Sequence, residues 1–261
     1  MRIFSKEELI QALADIKQRG WIRNARVGNA GGIGNTLEDL LGIDENNLPI
    51  PNAANWELKC QRKGTTSLVT LCHKEPSPRA LRFVPQVLLP NYGWPHDQAG
   101  IKYPHTEMSF RQTINALTRT DRGFGIRVDR SEQKILVSFD ASSVSPKHAQ
   151  WLRSVDMNVG LDELNPQPYW GFQELYHSIG SKLSNVFYVQ AQVQKIDGEE
   201  YYLYDSVMIL SGFSLESLLS AIEQGILLVD FDARSGHNHG TKFRIRQNNW
   251  PALYSHIEPV V

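Results

Sequence analysis

"NAANWELKCQRK", residues 52–63, is the stretch on which the reading of this chain turns. Residues 56–61 have the composition of a strand, with Glu57 and Lys59 two apart. In a strand, side chains two apart project from the same face. Glu57 and Lys59 therefore point into one site, while Trp56, Leu58 and Cys60 face the other way. Asn52 stands five residues ahead of Glu57. Alternating charges are common on the solvated face of a half-buried strand, and that is the bland reading of E-x-K. The chemical reading is phosphodiester cleavage: a carboxylate holds a divalent metal, and a nearby ammonium orients the attacking water or stabilises charge at phosphorus.

The flanking sequence adds weight to the chemical reading. Glu38 lies some twenty residues upstream, on a short helix that opens from the glycine-rich stretch "GNAGGIGNTLEDLLGI". A helix-then-strand unit of that length brings a second carboxylate near the first. The helix is expected to begin near Asn35 or Thr36 and to stop at Gly42. Before it, Ser5 to Gly20 reads as a helix capped by Ser5, with Glu8 as capping-box partner and Leu9, Leu13 and Ile16 as its apolar stripe.

Further along, strand-like runs occur at 66–72, 81–89, 125–128 and 135–139, with a loop-rich stretch from Leu89 to Thr106. A helix is expected over 172–183. Residues 186–195 and 201–210 form a hairpin about Asp197-Gly198, and a helix over 214–224 leads into a strand at 226–231. Hairpins interspersed with helices predict an α/β or mixed α+β fold with a largely mixed sheet.

The gross numbers bound the answer. A chain of 261 residues can bury a substantial core, as one large domain or two lobes. The net charge of −1 excludes a general polycation, so a nucleic-acid surface has to come from local clustering of Lys and Arg. Cys60 and Cys72 read as two buried thiols. The amphipathic, acid-bearing N-terminus is no secretory signal, and no apolar run approaches the length of a membrane helix. A cytoplasmic protein is expected.

Two further clusters carry charge. In "FDARSGHNHGTKFRIRQNN", residues 231–249, His237 and His239 flank Asn238 between two glycines. Lys242, Arg244 and Arg246 alternate along an expected strand, and residues 233–246 hold four Lys or Arg and no acid. Arg and His can donate to guanine O6 and N7, and Asn pairs with adenine. A plain surface loop and an H-x-H metal pair are the alternatives, the latter without the Cys or acid cluster of a zinc finger. The run from Arg111 to Lys134 contains Arg119, Arg122, Arg127 and Arg130 as well, three more bases than acids. It reads either as phosphate contacts or as solvated hairpin charges. "GNAGGIGNT" lacks the G-K-[ST] ending of a phosphate loop, and neither "SFDASS" nor "GFSLES" contains a G-x-S-x-G elbow.

Together, "GIGNTLEDLLGI" at 32–43, "PNAANWELK" at 51–59 and "SGHNHGTKFRI" at 235–245 resemble the MvaI/BcnI family of type II restriction endonucleases, itself similar to the mismatch-repair nickase MutH. The resemblance implies a PD-(D/E)xK restriction-endonuclease-like fold whose two lobes close around duplex DNA. It places a mainly catalytic lobe at 1–110 and a mainly recognition lobe at 111–261, with some elements returning to the first. It also implies a monomeric, Mg2+-dependent enzyme that cuts a short C/G-rich site of CC-N-GG type, one strand at a time, with a cognate DNA methyltransferase in the same system. By motif, Glu57 and Lys59 correspond to the family's catalytic Glu and Lys, Glu38 to the acid of the upstream helix, and His237, His239 and Arg244 to a loop that contacts guanines. Asn238, Lys242 and Arg246 join them as DNA contacts.

One position departs from the family pattern. Where the family carries a metal-binding aspartate before E-x-K, this chain has Asn52. An amide oxygen brings no negative charge and binds Mg2+ less well than a carboxylate, so the chain as given is expected to be cleavage-impaired. Either Asp→Asn was engineered to trap uncut DNA, or a natural enzyme uses another acid, Asp44 and Glu45 being nearest. The isosteric change in an otherwise intact motif favours the first. A strand-nicking repair enzyme and a non-catalytic DNA-binding relative are the alternative functions.

Overall fold

The computed structural model describes residues 4–26, 31–43, 56–180 and 183–261; Asn52, Asp44 and Glu45 lie outside them. In chain order the elements are α1 Lys6–Gln18, β1 Ile22–Arg23, α2 Gly32–Leu41, β2 Glu57–Arg62, β3 Leu68–His73, α3 Leu89–Tyr92, β4 Trp94–Pro95, β5 Met108–Ile114, β6 Arg122–Asp129, β7 Lys134–Val144, α4 Ala149–Val159, β8 Tyr169–Gly171, α5 Phe172–Gly180, β9 Asn185–Ile196, β10 Glu199–Ser211, α6 Leu215–Glu223, β11 Leu227–Arg234, β12 His237–Asn238, β13 Lys242–Arg246 and β14 His256–Pro259. The fold is mixed α/β. Two compact units emerge, one of Met1–Ser67, Ile179–Ser217 and Gln247–Val261, the other of Leu68–Ser178 and Leu218–Arg246. The first unit runs to Ser67, and the chain returns to it at Ile179 and Gln247. Strand pairing is the reason: β2 pairs with β9, and β3 with β13, each far away in sequence.

In the first unit the sheet order is β1-β10-β9-β2, with β14 also on β10. The β9–β10 hairpin turns at Asp197 and Gly198, whose φ values of 51° and 83° are the left-handed pair that a two-residue turn needs. β2 runs parallel to β9, with Glu57 opposite Val186 and Lys59 opposite Tyr188. Leu58, Phe187, Val189, Tyr204 and Ile209 share a core with Leu9, Leu13 and Ile16 of α1 and Ile33, Leu37 and Leu41 of α2. Helix α1 has the expected capping box: Glu8 N–H donates to Ser5 Oγ at 3.2 Å, and Ser5 N–H to Glu8 Oε2 at 2.8 Å. Helix α2 starts at Gly32, earlier than the glycine run suggests, and ends at Gly42 with φ 65°. At Gly32 a Cβ would sit 3.0 Å from the Asn24 side chain and the Tyr202 hydroxyl, so glycine here serves close packing inside a helix.

The second unit has a sheet of order β3-β13-β11-β5-β4, with β12 on β11, and a three-stranded sheet β6-β7-β8. Its core holds Tyr92, Phe110, Phe124, Phe139 and Phe231 in edge-on or tilted contacts with ring centroids 5.2–5.6 Å apart. Residues 81–89 are not a strand. They lie across a 3-10 turn at Arg79–Leu81, a π-helical turn at Val84–Leu88 and the start of α3. Pro85 withholds an N–H that a ladder through this run requires, and Pro85 and Pro90, the latter just past the run, sit where a helical turn begins. Helix α4 has no counterpart in the sequence reading; it buries Val155, with Trp151 and Leu152 half-buried one turn earlier on the same face. Cys60 and Cys72 are free thiols on separate strands; burial pushes Cys72 up to about 12 and raises Cys60 further. Among the described residues no helix is long and apolar enough to cross a membrane.

Candidate catalytic strand and recognition loop

Strand parity puts Glu57 and Lys59 on the face of β2 away from the helices, while Leu58, with Trp56 and Cys60 against it, belongs to the α1–α2 core. Lys59 Nζ lies 2.5 Å from Glu57 Oε1. The carboxylate is 3% exposed and the ammonium side chain 36%, so the pair has a buried acidic end and an accessible basic end. Glu57 Oε2 is buried and has no hydrogen-bond partner among the described residues; the same holds for Gln61 Oε1 and the Tyr254 hydroxyl. Tyr254 is pushed up first by burial and then by the charge of Glu57. Tyr188, opposite Lys59, is raised to about 12 by burial, and its hydroxyl donates to Gln247 O at 2.9 Å. No sequence pattern pointed to Tyr254, which directly follows the 3-10 segment Gln247–Leu253, remote from β2 in the chain.

Glu38 is half-buried on α2, the helix that packs on the Leu58–Cys60 face. After burial, its charge is the next cause of the raised Cys60 thiol. Among the described residues, no three His, Cys, Asp or Glu side chains gather as a metal site. Hard divalent cations take oxygen ligands, and a buried carboxylate oxygen without a donor, such as Glu57 Oε2, fits one.

The 235–246 segment is more constrained than its composition suggests. Gly236 and Gly240, with φ of 72° and 84°, fold β12 back on the end of β11, pairing His237 with Arg234. The His237 and His239 rings are both exposed, with centroids 4.2 Å apart and Nε2 of the first 3.3 Å from Nδ1 of the second. Asn238 is half-buried and donates to Glu75 Oε1 at 3.2 Å. Lys242 pairs with Asp232 and Arg244 with Asp230, each at 3.0 Å, and Arg244 also donates to Leu68 O. Arg246 is exposed.

The local positive surface expected here is therefore corrected. Asp230 and Asp232 alternate along β11 and face the cations of β13 across the antiparallel pairing. Asp232 also meets Arg111 of β5 at 2.7 Å. Burial raises its carboxyl, but the Lys242 hydrogen bond and the charges of Arg111 and Lys242 outweigh this and hold it below the usual range. The aspartates were visible in "VDFDAR", yet their facing partners depend on the pairing.

Glu75 also escaped the sequence reading. Besides Asn238 it accepts from Thr241 N at 3.0 Å and Thr241 Oγ1 at 3.2 Å, and Thr241 is fully buried. Glu75→Ala strands those two donors, and urea unfolding is expected to show a loss of about 1–3 kcal/mol. A change within error would remove Glu75 as the brace of this loop.

Comparison with known proteins follows the same outline. The model of the MvaI/BcnI restriction endonuclease family matches residues 10–254. Among solved structures, the complex of restriction endonuclease MvaI with its cognate DNA substrate is similar with a TM-score of 0.71 and 24% identity, covering 99% of this chain and 100% of that one. MvaI in the absence of DNA gives a TM-score of 0.61 at 24% identity, with 100% of both chains covered. No match is found among curated proteins.

Proposed function

Because this chain belongs to the MvaI/BcnI restriction endonuclease family, we propose that it is built as a type II restriction endonuclease, a monomer that binds a short C/G-rich duplex site of CC-N-GG type in the cytoplasm. The observation that carries this reading is the Glu57–Lys59 pair, with one buried carboxylate oxygen left for a metal. Glu57 would hold Mg2+, together with whatever residue 52 and its neighbours contribute. When bound, Mg2+ supplies a polarised phosphate and a more acidic water. Lys59 presents its ammonium at the accessible end of the pair, where it orients a water and offsets charge building on the phosphate oxygens. Glu38 adds negative charge beside the strand.

In this reading the first unit carries the chemistry and the second carries recognition. His237, His239 and Arg246 are exposed and reach base edges or phosphates directly. Asn238, Lys242 and Arg244 hold carboxylates of the protein. They shape the loop, and they contact DNA by exchanging those partners. A cognate methyltransferase protects the same site in the host.

The test is selection of duplexes from a random pool with Ca2+ in place of Mg2+. Enrichment of a five-base-pair C/G-rich motif is expected. A pool that emerges unenriched, with no sequence preference, would overturn the site-specific reading. Asn52 favours a second reading, a DNA-binding relative without cleavage; it shares the selection result and differs in the cleavage experiment below. A nicking enzyme, the third, would accumulate open circles without linear product.

A further inference from the structure

Of the six bases between Arg111 and Lys134, five have a carboxylate: Arg111 meets Asp232, Arg119 Asp140, Arg127 Asp129, Arg130 Glu223 and Lys134 Glu132, at 2.7–3.6 Å. Arg122 has none among the described residues. Its guanidinium carbon lies 4.0 Å from the ring centroid of Trp94 and 5.5 Å from that of Trp151. Its Nε is buried without a hydrogen-bond partner. The neighbouring Asp121 carboxylate is engaged by Lys147. The Trp151 indole cannot swing away easily, since its N–H donates to the carbonyls of Tyr92 and Gly93, both at 3.1 Å. Burial lowers the pKa of Arg122, and burial and then the charges of Arg122 and Lys147 lower that of His148.

These groups line a cavity of about 440 Å³ in the second unit, with Trp94, Arg122, Lys147, His148, Gln150 and Trp151 on its wall. Helix α4 begins at the same wall with no side-chain cap. A half-buried cation whose neighbouring carboxylate, Asp121, acts on it only through space and is itself paired with Lys147 is under-compensated, and contact with indoles recovers only part of the lost hydration. The indole contacts cover the guanidinium from the side of the rings, and with Nε buried they leave the two terminal nitrogens as the fork that matches a tetrahedral oxyanion. Lys147 and the amide of Gln150 add donors at the rim. A phosphate has enough oxygens to engage all of them, whereas a carboxylate fills only the fork.

We infer that the Trp94–Arg122–Trp151 cleft is a binding site for a phosphate group, supplied either by the backbone of bound DNA or by a free phosphate ester. The site lies apart in sequence from β2 and from the 235–246 loop, and it does not rest on the nuclease reading.

Two measurements on the full chain test it. Inorganic phosphate, added against chloride at matched ionic strength, should change tryptophan fluorescence saturably in the wild type, not in Arg122→Gln, and more weakly in Lys147→Gln. Separately, the salt dependence of binding to a 30-base-pair duplex should flatten in Arg122→Gln, its log–log slope falling by about 0.9 for one lost phosphate contact. A phosphate response with an unchanged slope assigns the site to a free phosphate ester, and a flattened slope assigns it to DNA. No phosphate response and no change of slope overturns the inference. Should Arg122→Gln fail to fold by circular dichroism, Lys147→Gln decides alone, since Lys147 is exposed and outside the core. A chain that binds no duplex defeats the proposed function, and the phosphate titration still decides this site.

Discussion

Asn52→Asp is expected to raise Mg2+-dependent cleavage of supercoiled plasmid by about a hundredfold or more over the chain as given. Removing a mere outer-shell partner of a metal ligand already costs about 10–100-fold in affinity or activity, and a directly ligating carboxylate weighs at least as much. The amide at position 52 leaves Glu57 to supply the negative charge at the candidate site on β2. Run side by side with Mg2+ and with a chelator, only the variant should give discrete fragments, passing through open circle to linear DNA. Equal cutting by both chains would mean that other residues hold the metal. Cutting by neither would move the protein to the DNA-binding reading, and a variant that stops at open circle would favour the nickase.

Lys59→Met, made in the Asn52→Asp background, should lower the cleavage rate by about 10²–10³-fold, the usual effect of removing one group that stabilises developing charge. It should also destabilise the fold. Glu57 is almost fully buried and Lys59 Nζ sits 2.5 Å from its Oε1, so the substitution leaves a desolvated carboxylate unpaired. The ammonium side chain is about a third exposed and screened accordingly, which limits the loss to about 3 kcal/mol. Adding Glu57→Gln should recover stability in urea unfolding without recovering activity. Undiminished cleavage by Lys59→Met would remove the lysine from the chemistry, and unchanged stability would show that Glu57 finds another partner.

What could be read from the sequence is what depends on near neighbours in the chain. The capping box of Ser5 and Glu8 closes over three residues, and the Asp197-Gly198 turn needs only two left-handed residues. Likewise, the parity of β2, which sets Glu57 and Lys59 against Leu58, follows from backbone pleating alone. The family resemblance rests on three such short stretches, and the match over 10–254 agrees with it.

The misses have different causes. At 81–89 apolar content outweighed Pro85, which withholds a ladder N–H from the middle of the run. The close packing that Gly32 permits at the start of α2 is against Asn24 and Tyr202, which come from the β1 end of the chain and from β10 and are not neighbours in the sequence. The basic character of 233–246 was a local count, and it failed because Asp230 and Asp232 face Lys242 and Arg244 only once β11 and β13 pair.

The same reason separates Arg122 from its five neighbours in the run. All six look alike in the sequence, and five met carboxylates while one met two indoles. The sequence by itself determined which side chains share a strand face, where helices are capped and which family the motifs resemble. Only the tertiary structure decided which charges are already neutralised and which still await a partner, because a charge is compensated through space by residues that the chain brings together from far apart.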